Sequence, residues 1–136
     1  MALKAQGGRL VPRSGPQMVA SQRAEAINRK AYAMAEAVRA VRLSFGRSSR
    51  MRISVLELVV SSVSDAFRSI NRAYINAQAS PDLSGVVSSM EQAGQSLRSL
   101  WPKLEDQNFH DAAELAKEVS DMCLAFVRDV KAGRIA

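Results

Sequence analysis

Four stretches of this chain repeat apolar residues at spacings of three and four, the period that keeps one face of an α-helix apolar. In residues 17–45 the stripe is Ile27, Ala31, Met34, Val38, Val41 and Phe45, set in an alanine-rich background that favours helix. In residues 51–79 it is Leu56, Val59, Val63, Ala66, Ile70, Ala73 and Ala77, widened by Phe67 and Tyr74. The β-branched run from Ile53 to Val60 has strand character taken alone. Heptad-like spacing kept for three periods, with no Gly or Pro inside, predicts instead a helix, the central one of the core. A third helix is expected to run to about Leu100, with Leu83, Val87, Met90, Gly94, Leu97 and Trp101 on its stripe. Ser80-Pro81-Asp82 reads as its start: Ser80 as the cap, Pro81 in the first helical position, Asp82 at the positive end of the dipole. Pro102 reads as its stop, and Gly94 as a weak point or a site of close helix approach. The fourth helix, capped by Asp106 or Asn108, runs to about Ala132 with Ala112, Ala116, Val119, Cys123, Phe126 and Val130 on its stripe. Gly133 is a suitable terminator.

The breaks divide the chain into three parts. Gly7, Gly8, Pro12, Gly15 and Pro16 make residues 1–16 an extended basic arm. Residues 17–52 form a basic helix and loop, the part expected to face nucleic acid, with a second break at Gly46-Arg47-Ser48-Ser49-Arg50. Residues 53–136 form the helical body. The expected fold is all-α: an extended basic N-terminal arm and long helix followed by a small helical bundle, about four helices in all. At 136 residues and 14.8 kDa this is one domain in size. The most apolar stretch, Ile53 to Val63, is interrupted by Glu57 and falls short of the roughly 18 apolar residues a membrane span needs.

Charge changes the picture. The net charge is +6, and it is polarised. Residues 1–52 hold Lys4, Arg9, Arg13, Arg23, Arg29, Lys30, Arg39, Arg42, Arg47, Arg50 and Arg52 against two acids, Glu25 and Glu36; the remainder of the chain carries −3. On the helical wheel Arg29 and Arg39 lie far from the apolar stripe, near Glu25 and Glu36, while Arg23, Lys30 and Arg42 lie near its edges. A basic segment joined to a near-neutral body suggests binding to a polyanion, the plain alternative being a merely solvated basic face. Arginine outnumbers lysine nine to two in this segment, and its planar fork holds phosphate oxygens bidentately. Only Tyr32 and Phe45 are aromatic there, which argues against stacking on single strands. No cluster of Asn and Gln is placed to read base edges, and no helix-turn-helix or zinc finger stands out. The pattern fits sequence-independent contact with a duplex backbone. The Gly46–Arg50 break would let a phosphate approach closely, but lacks the Gly-Lys-Ser/Thr ending of a nucleotide-binding loop.

Other chemistry is sparse. One cysteine, Cys123, and one histidine, His110, leave no internal disulfide, no cysteine zinc site and no His-based constellation. No enzymatic activity, cofactor, metal or small-molecule substrate is expected. His110, beside Asp111, reads as a surface residue; Cys123 as a buried thiol; Trp101 as a core or subunit-contact anchor. Met18, Met34, Met51, Met90 and Met122 read as core fillers. Glu114 and Glu118 share a helix face, but no His or second carboxylate pair answers them as a di-metal site requires.

A basic Gly/Pro arm (Met1–Pro16), a helix bearing Arg23, Arg29, Lys30, Arg39 and Arg42, the Gly46–Arg52 break and an apolar helical body together resemble the major coat proteins of filamentous and rod-shaped viruses of hyperthermophilic archaea. The resemblance is one of architecture and rests on no sequence motif. It implies a virion protein whose arm and first helix wrap double-stranded DNA, held in the A form, and whose helical body builds the wall of a filament. It also implies assembly with copies of itself and with a second, related coat protein. The segment Ala66-Phe67-Arg68-Ser69-Ile70-Asn71-Arg72, followed by Asn76-Ala77-Gln78-Ala79, is similar to rod-shaped plant virus coat proteins that bind single-stranded RNA between helices. A chromatin-type DNA-binding protein and a helical adaptor remain the alternatives from other classes.

Overall fold

The computed structural model describes the backbone of residues 15–45, 50–80 and 82–135, and the side chains of residues 18–40, 57–80 and 82–135. Residues 1–14 of the arm, the Gly46–Ser49 link, Pro81 and Ala136 lie outside the described residues, as do the side chains of Val41, Phe45, Met51 and Leu56, whereas Gly15 and Pro16, expected in the arm, begin the first helix. All regular structure among the described residues is helical: α1 (Gly15–Phe45), α2 (Arg50–Ala79), α3 (Ser84–Asp106) and α4 (His110–Lys131). Each helix packs on the next and α1 closes onto α4, and among the described residues the backbones of the diagonal pairs stay apart. The result is an antiparallel four-helix bundle with short connections. The basic first helix is thus one of the four walls and shares its core with the body.

The stripes form that core. Ala20, Ala24, Ile27, Ala31, Met34 and Val38 of α1 are buried, and so are Val59, Val63, Ala66, Ile70, Ala73 and Ala77 of α2. Six of these twelve are alanines, which bring the α1 and α2 backbones close to their neighbours. Bulk comes from Ile27, Met34 and Ile70 of this pair and from Met90, Leu97, Leu104 and Phe126 of the other. The α3 stripe is turned slightly from expectation: Val86, Ala93 and Leu100 are buried while Val87 and Trp101 are half-buried. Gly94 marks the closest approach. A Cβ there would lie 2.8 Å from Leu124 Cδ2, and the Gly94 carbonyl accepts a 2.8 Å hydrogen bond from the buried Ser120 hydroxyl. One turn away the Cys123 thiol points at Met90 Sδ, 3.8 Å off.

Three end signals differ from the sequence expectation. α3 begins at Ser84, so Ser80 and Pro81 precede the helix and Ser80 is not its cap. Ser80 Oγ instead accepts from the Asp82 amide at 3.2 Å, and Asp82 Oδ1 accepts from the Ser84 amide at 3.1 Å. That bond lowers the Asp82 carboxyl from its ordinary value, because it favours the charged form. Buried Leu83 forms the N-cap position. Pro102 does not stop α3, which continues to Asp106. The proline removes one backbone bond, but buried Leu100 and Leu104 on either side hold the helix to the core. The stop is Asn108, in the left-handed region at φ 68°, with the Phe109 amide bonded back to the Leu104 carbonyl at 2.9 Å. Phe109, and neither Asp106 nor Asn108, occupies the N-cap of α4. Gly133 at φ 78° ends α4 as expected, with Arg134 N–H donating to the Asp129 carbonyl. Met18 is exposed and fills no core, whereas Met34 and Met90 are buried.

Replacing Ile70 by Asp places an unpaired carboxylate at the centre of the bundle, which costs on the order of 4 kcal/mol or more against a total stability of roughly 5–15 kcal/mol. We expect loss of the cooperative thermal transition in circular dichroism; a soluble variant with wild-type melting would show that this stripe faces solvent. Burial also pushes the Cys123 thiol up to about 12, so it stays protonated at neutral pH. Alkylation by iodoacetamide should proceed only after denaturant is added, as read by mass spectrometry.

Candidate nucleic-acid interface

The structure sorts the eleven basic residues of the first 52 into groups. Lys4, Arg9, Arg13 and Arg47 lie outside the described residues. Arg42 belongs to the last turn of α1, and Arg50 and Arg52 to the first turn of α2, their side chains again outside the described set. The remaining four are each paired with a carboxylate. Arg29 meets Glu25 at 2.8 Å and Arg39 meets Glu36 at 3.4 Å, both within α1 and both exposed. Such pairs contribute little to stability.

Arg23 and Lys30 do something else. Arg23 Nη1 lies 2.6 Å from Asp129 Oδ2, and its guanidinium sits over the Phe126 ring, 5.6 Å from the centroid. Lys30 Nζ lies 3.3 Å from Glu118 Oε1. Both pairs join α1 to α4. Arg134 closes on Asp129 from the other side at 2.8 Å. Hydrogen bonds from Arg23 first, and then from Arg134, hold the Asp129 carboxyl below its ordinary value. The wheel positions of Arg23 and Lys30 at the edges of the apolar stripe were the available signal, since edge positions of a bundle helix face the neighbouring helix.

These two pairs also fix the register. Beyond Lys30, α1 runs on to Phe45, whereas beyond Glu118, α4 reaches back only to His110. At ~1.5 Å per residue, α1 overhangs α4 by roughly 10 Å counted from the Lys30 pair and by roughly 5 Å counted from the Arg23 pair. The α2–α3 seam is offset in the same direction. Ser62, Asp65 and Ser69 of α2 line a groove of about 370 Å³ with Gln92, Ser96 and Lys103 of α3, which carries the end of α3 to the level of Glu57. Leu58, on the α3 side of α2, is 66% exposed there, while Val59 is buried. The end of α1 and the start of α2 therefore run past the level at which α3 ends and α4 begins. Between Glu36 and Glu57 the sequence holds Arg39, Arg42, Arg47, Arg50 and Arg52 and no acid. The arm joins α1 at its other end, about 45 Å away along the helix. The four basic residues whose side chains are described, Arg23, Arg29, Lys30 and Arg39, are thus all acid-paired, and the other seven flank them in the sequence.

The remaining candidates have structural surroundings. His110 Nδ1 lies 2.5 Å from Glu105 Oε2 across the α3–α4 turn. Half-buried Trp101 has the Lys117 ammonium 5.3 Å from its ring centroid. Glu118 is taken by Lys30, and no group of carboxylates, His or Cys among the described residues could hold a metal ion. In the segment similar to RNA coat proteins, Ala66, Ile70, Ala73 and Ala77 are core residues and Arg68 pairs with Asp65 at 3.0 Å. No described helix is long and apolar enough to cross a membrane. No protein-family model, curated protein or solved structure matches the chain.

Arg23→Ala should lower the melting temperature and leave affinity for nucleic acid nearly unchanged. Because the Asp129 carboxyl is depressed in the folded state, its contribution is present above the ordinary carboxylate range near pH 4 and fades as pH falls through the folded value. Asp129→Asn should accordingly melt lower at pH 7 but converge on wild type toward pH 2, as followed by calorimetry across that range.

Proposed function

We propose that this chain is a structural, non-enzymatic protein: the coat of a virion, which packages double-stranded DNA through sequence-independent contacts to phosphate and assembles into a helical filament. One observation carries the reading, namely that from Val41 to Leu56, where α1 ends and α2 begins, the sequence supplies Arg42, Arg47, Arg50 and Arg52 and no acid. Two further features support it. The first turn of α2 contains no acidic residue, so the positive end of its dipole adds to Arg50 and Arg52 in attracting anions. The arm, with Lys4, Arg9 and Arg13, supplies a second cationic end. A duplex carries one phosphate charge per ~1.7 Å of axis, so a single duplex spans both ends with charge to spare. Copies set side by side along it present one row of hairpin ends and one row of arms. The negatively charged remainder of the chain forms the wall, and a second, related coat protein is its natural companion. The ion pairs restrict which cations serve: Arg23, Arg29, Lys30 and Arg39 are engaged within the fold, leaving the arm and the segment from Arg42 to Arg52 to meet phosphate.

Binding to duplex DNA should weaken with salt by roughly 0.9 log units per log unit of salt for each phosphate neutralised. Replacing Arg47 and Arg50 by Gln should reduce that slope by about two contacts, while Arg29→Ala changes it little. Scrambled duplexes of equal length should compete equally, and electron microscopy of the loaded protein should show filaments. A preference for single strands would point to the RNA-coat alternative, a preference for one sequence to a regulator, and small discrete complexes without filaments to a chromatin-type protein.

A further inference from the structure

We propose that two copies of this chain pair through the outer face of α1, antiparallel, about a two-fold axis that passes beside Tyr32. The inference starts from a second stripe on that helix. Glu25, Arg29, Tyr32, Glu36 and Arg39 follow one another at spacings of four, three, four and three, so they share one face. That face looks away from the core and from α4. The core takes Ile27, Ala31, Met34 and Val38, and α4 meets Arg23 and Lys30. Tyr32 instead leans on Phe67 of α2, with ring centroids 6.2 Å apart, and remains 57% exposed.

The order of charges selects the occupant. Counted from Tyr32, a glutamate stands seven residues before and an arginine seven after; an arginine stands three before and a glutamate four after. Reversing the helix about Tyr32 therefore exchanges the signs. In an antiparallel pair Glu25 of one copy faces Arg39 of the other, and Arg29 of one faces Glu36 of the other, each contact occurring twice in an isologous interface. Helices packed in this way stand about 8–10 Å apart between axes, within reach of such side chains. Within one copy the same four charges already pair, Glu25 with Arg29 at 2.8 Å and Glu36 with Arg39 at 3.4 Å. Those exposed pairs are worth little alone. Across the contact they join into an alternating network around the two Tyr32 rings, each carboxylate lying between two arginines. A parallel pair in register would set like charge against like, so the pattern also fixes direction. A face on which glutamate alternates with arginine gives a polyanion no net attraction, which separates this surface from the cations left for phosphate. Pairing also takes Tyr32 and the half-buried Phe67 beside it out of water, an aromatic centre inside a charged rim.

The proposal stands without the nucleic-acid reading, and its test uses full-length protein freed of nucleic acid. Light scattering coupled to size-exclusion chromatography should give a dimer. Glu25→Arg with Glu36→Arg reverses both acids, and Arg29→Glu with Arg39→Glu reverses both arginines. Each double variant alone should dimerise at least tenfold more weakly, with helical circular dichroism retained. Mixing the two should restore a one-to-one dimer, because every arginine then faces a glutamate again. Tyr32→Cys places a thiol beside the axis, where it meets its own copy, and should cross-link under mild oxidation. Arg98→Cys, exposed on α3, should not, and the native Cys123 is buried and takes no part. A wild-type chain that is monomeric at every concentration, charge variants that dimerise as the wild type does, a mixture that stays monomeric, or equal cross-linking of the two cysteine variants would each overturn the proposal. Duplex binding is read separately: if it fails while the charge-swapped mixture dimerises, the packaging reading falls and this contact stands.

Discussion

The architecture depends on the closure of α1 onto α4. A chain of helical hairpins has an open edge until its first helix meets its last, and here that seam is set by Arg23 on Asp129 and Lys30 on Glu118. The Arg23 pair is half-buried, lies over the Phe126 ring and shares its carboxylate with Arg134. In such surroundings the pair is better shielded from water and salt than an exposed one. Its geometric effect exceeds its energetic one. By fixing where along α4 each residue of α1 falls, it sets how the greater length of α1 is shared between the two ends of the bundle.

The same pairs alter how the basic segment is to be understood. A count of charges makes residues 1–52 a uniform cationic arm and helix. In three dimensions the described cations of that helix are taken up by Glu25, Glu36, Glu118 and Asp129. In the packaging proposal a polyanion meets instead the cations that flank this stretch in the sequence, in the arm and from Arg42 to Arg52, separated by most of the length of α1. That geometry favours a long, regular ligand over a compact one, and it is the physical content of the packaging proposal.

Helix content and core were legible from spacing alone. The α2 stripe from Val59 to Ala77 is buried at each position the periodicity named, because a heptad pattern in an antiparallel bundle has only one face to bury. Helix ends were less legible. Pro102 is a stop signal locally, yet the apolar residues on either side of it keep α3 packed for another turn. Asn108 was read as a cap and serves as a left-handed terminator, a role that depends on backbone angles rather than on side-chain type. The partners of Arg23 and Lys30 were out of reach for a different reason. Their acids lie about a hundred residues away, and only the fold says which helix stands beside α1. The sequence marked them as edge residues without saying edge to what.

The seam between first and last helices has a consequence for how the molecule comes into being. The bond from Arg23 to Asp129 spans 106 residues, nearly the whole chain, so it belongs to the last contacts a growing polypeptide can make. During synthesis α2 and α3 can pair as soon as both have emerged, but α1 must wait for α4. Until then its alanine-rich stripe lacks one of its two flanking walls. Loop-closure entropy delays that final docking. A ribosome that stalls or terminates early in α4 would release a three-helix chain with its basic helix incompletely anchored, which makes completion of the C-terminal helix the natural checkpoint between a nascent chain and an assembly-competent one.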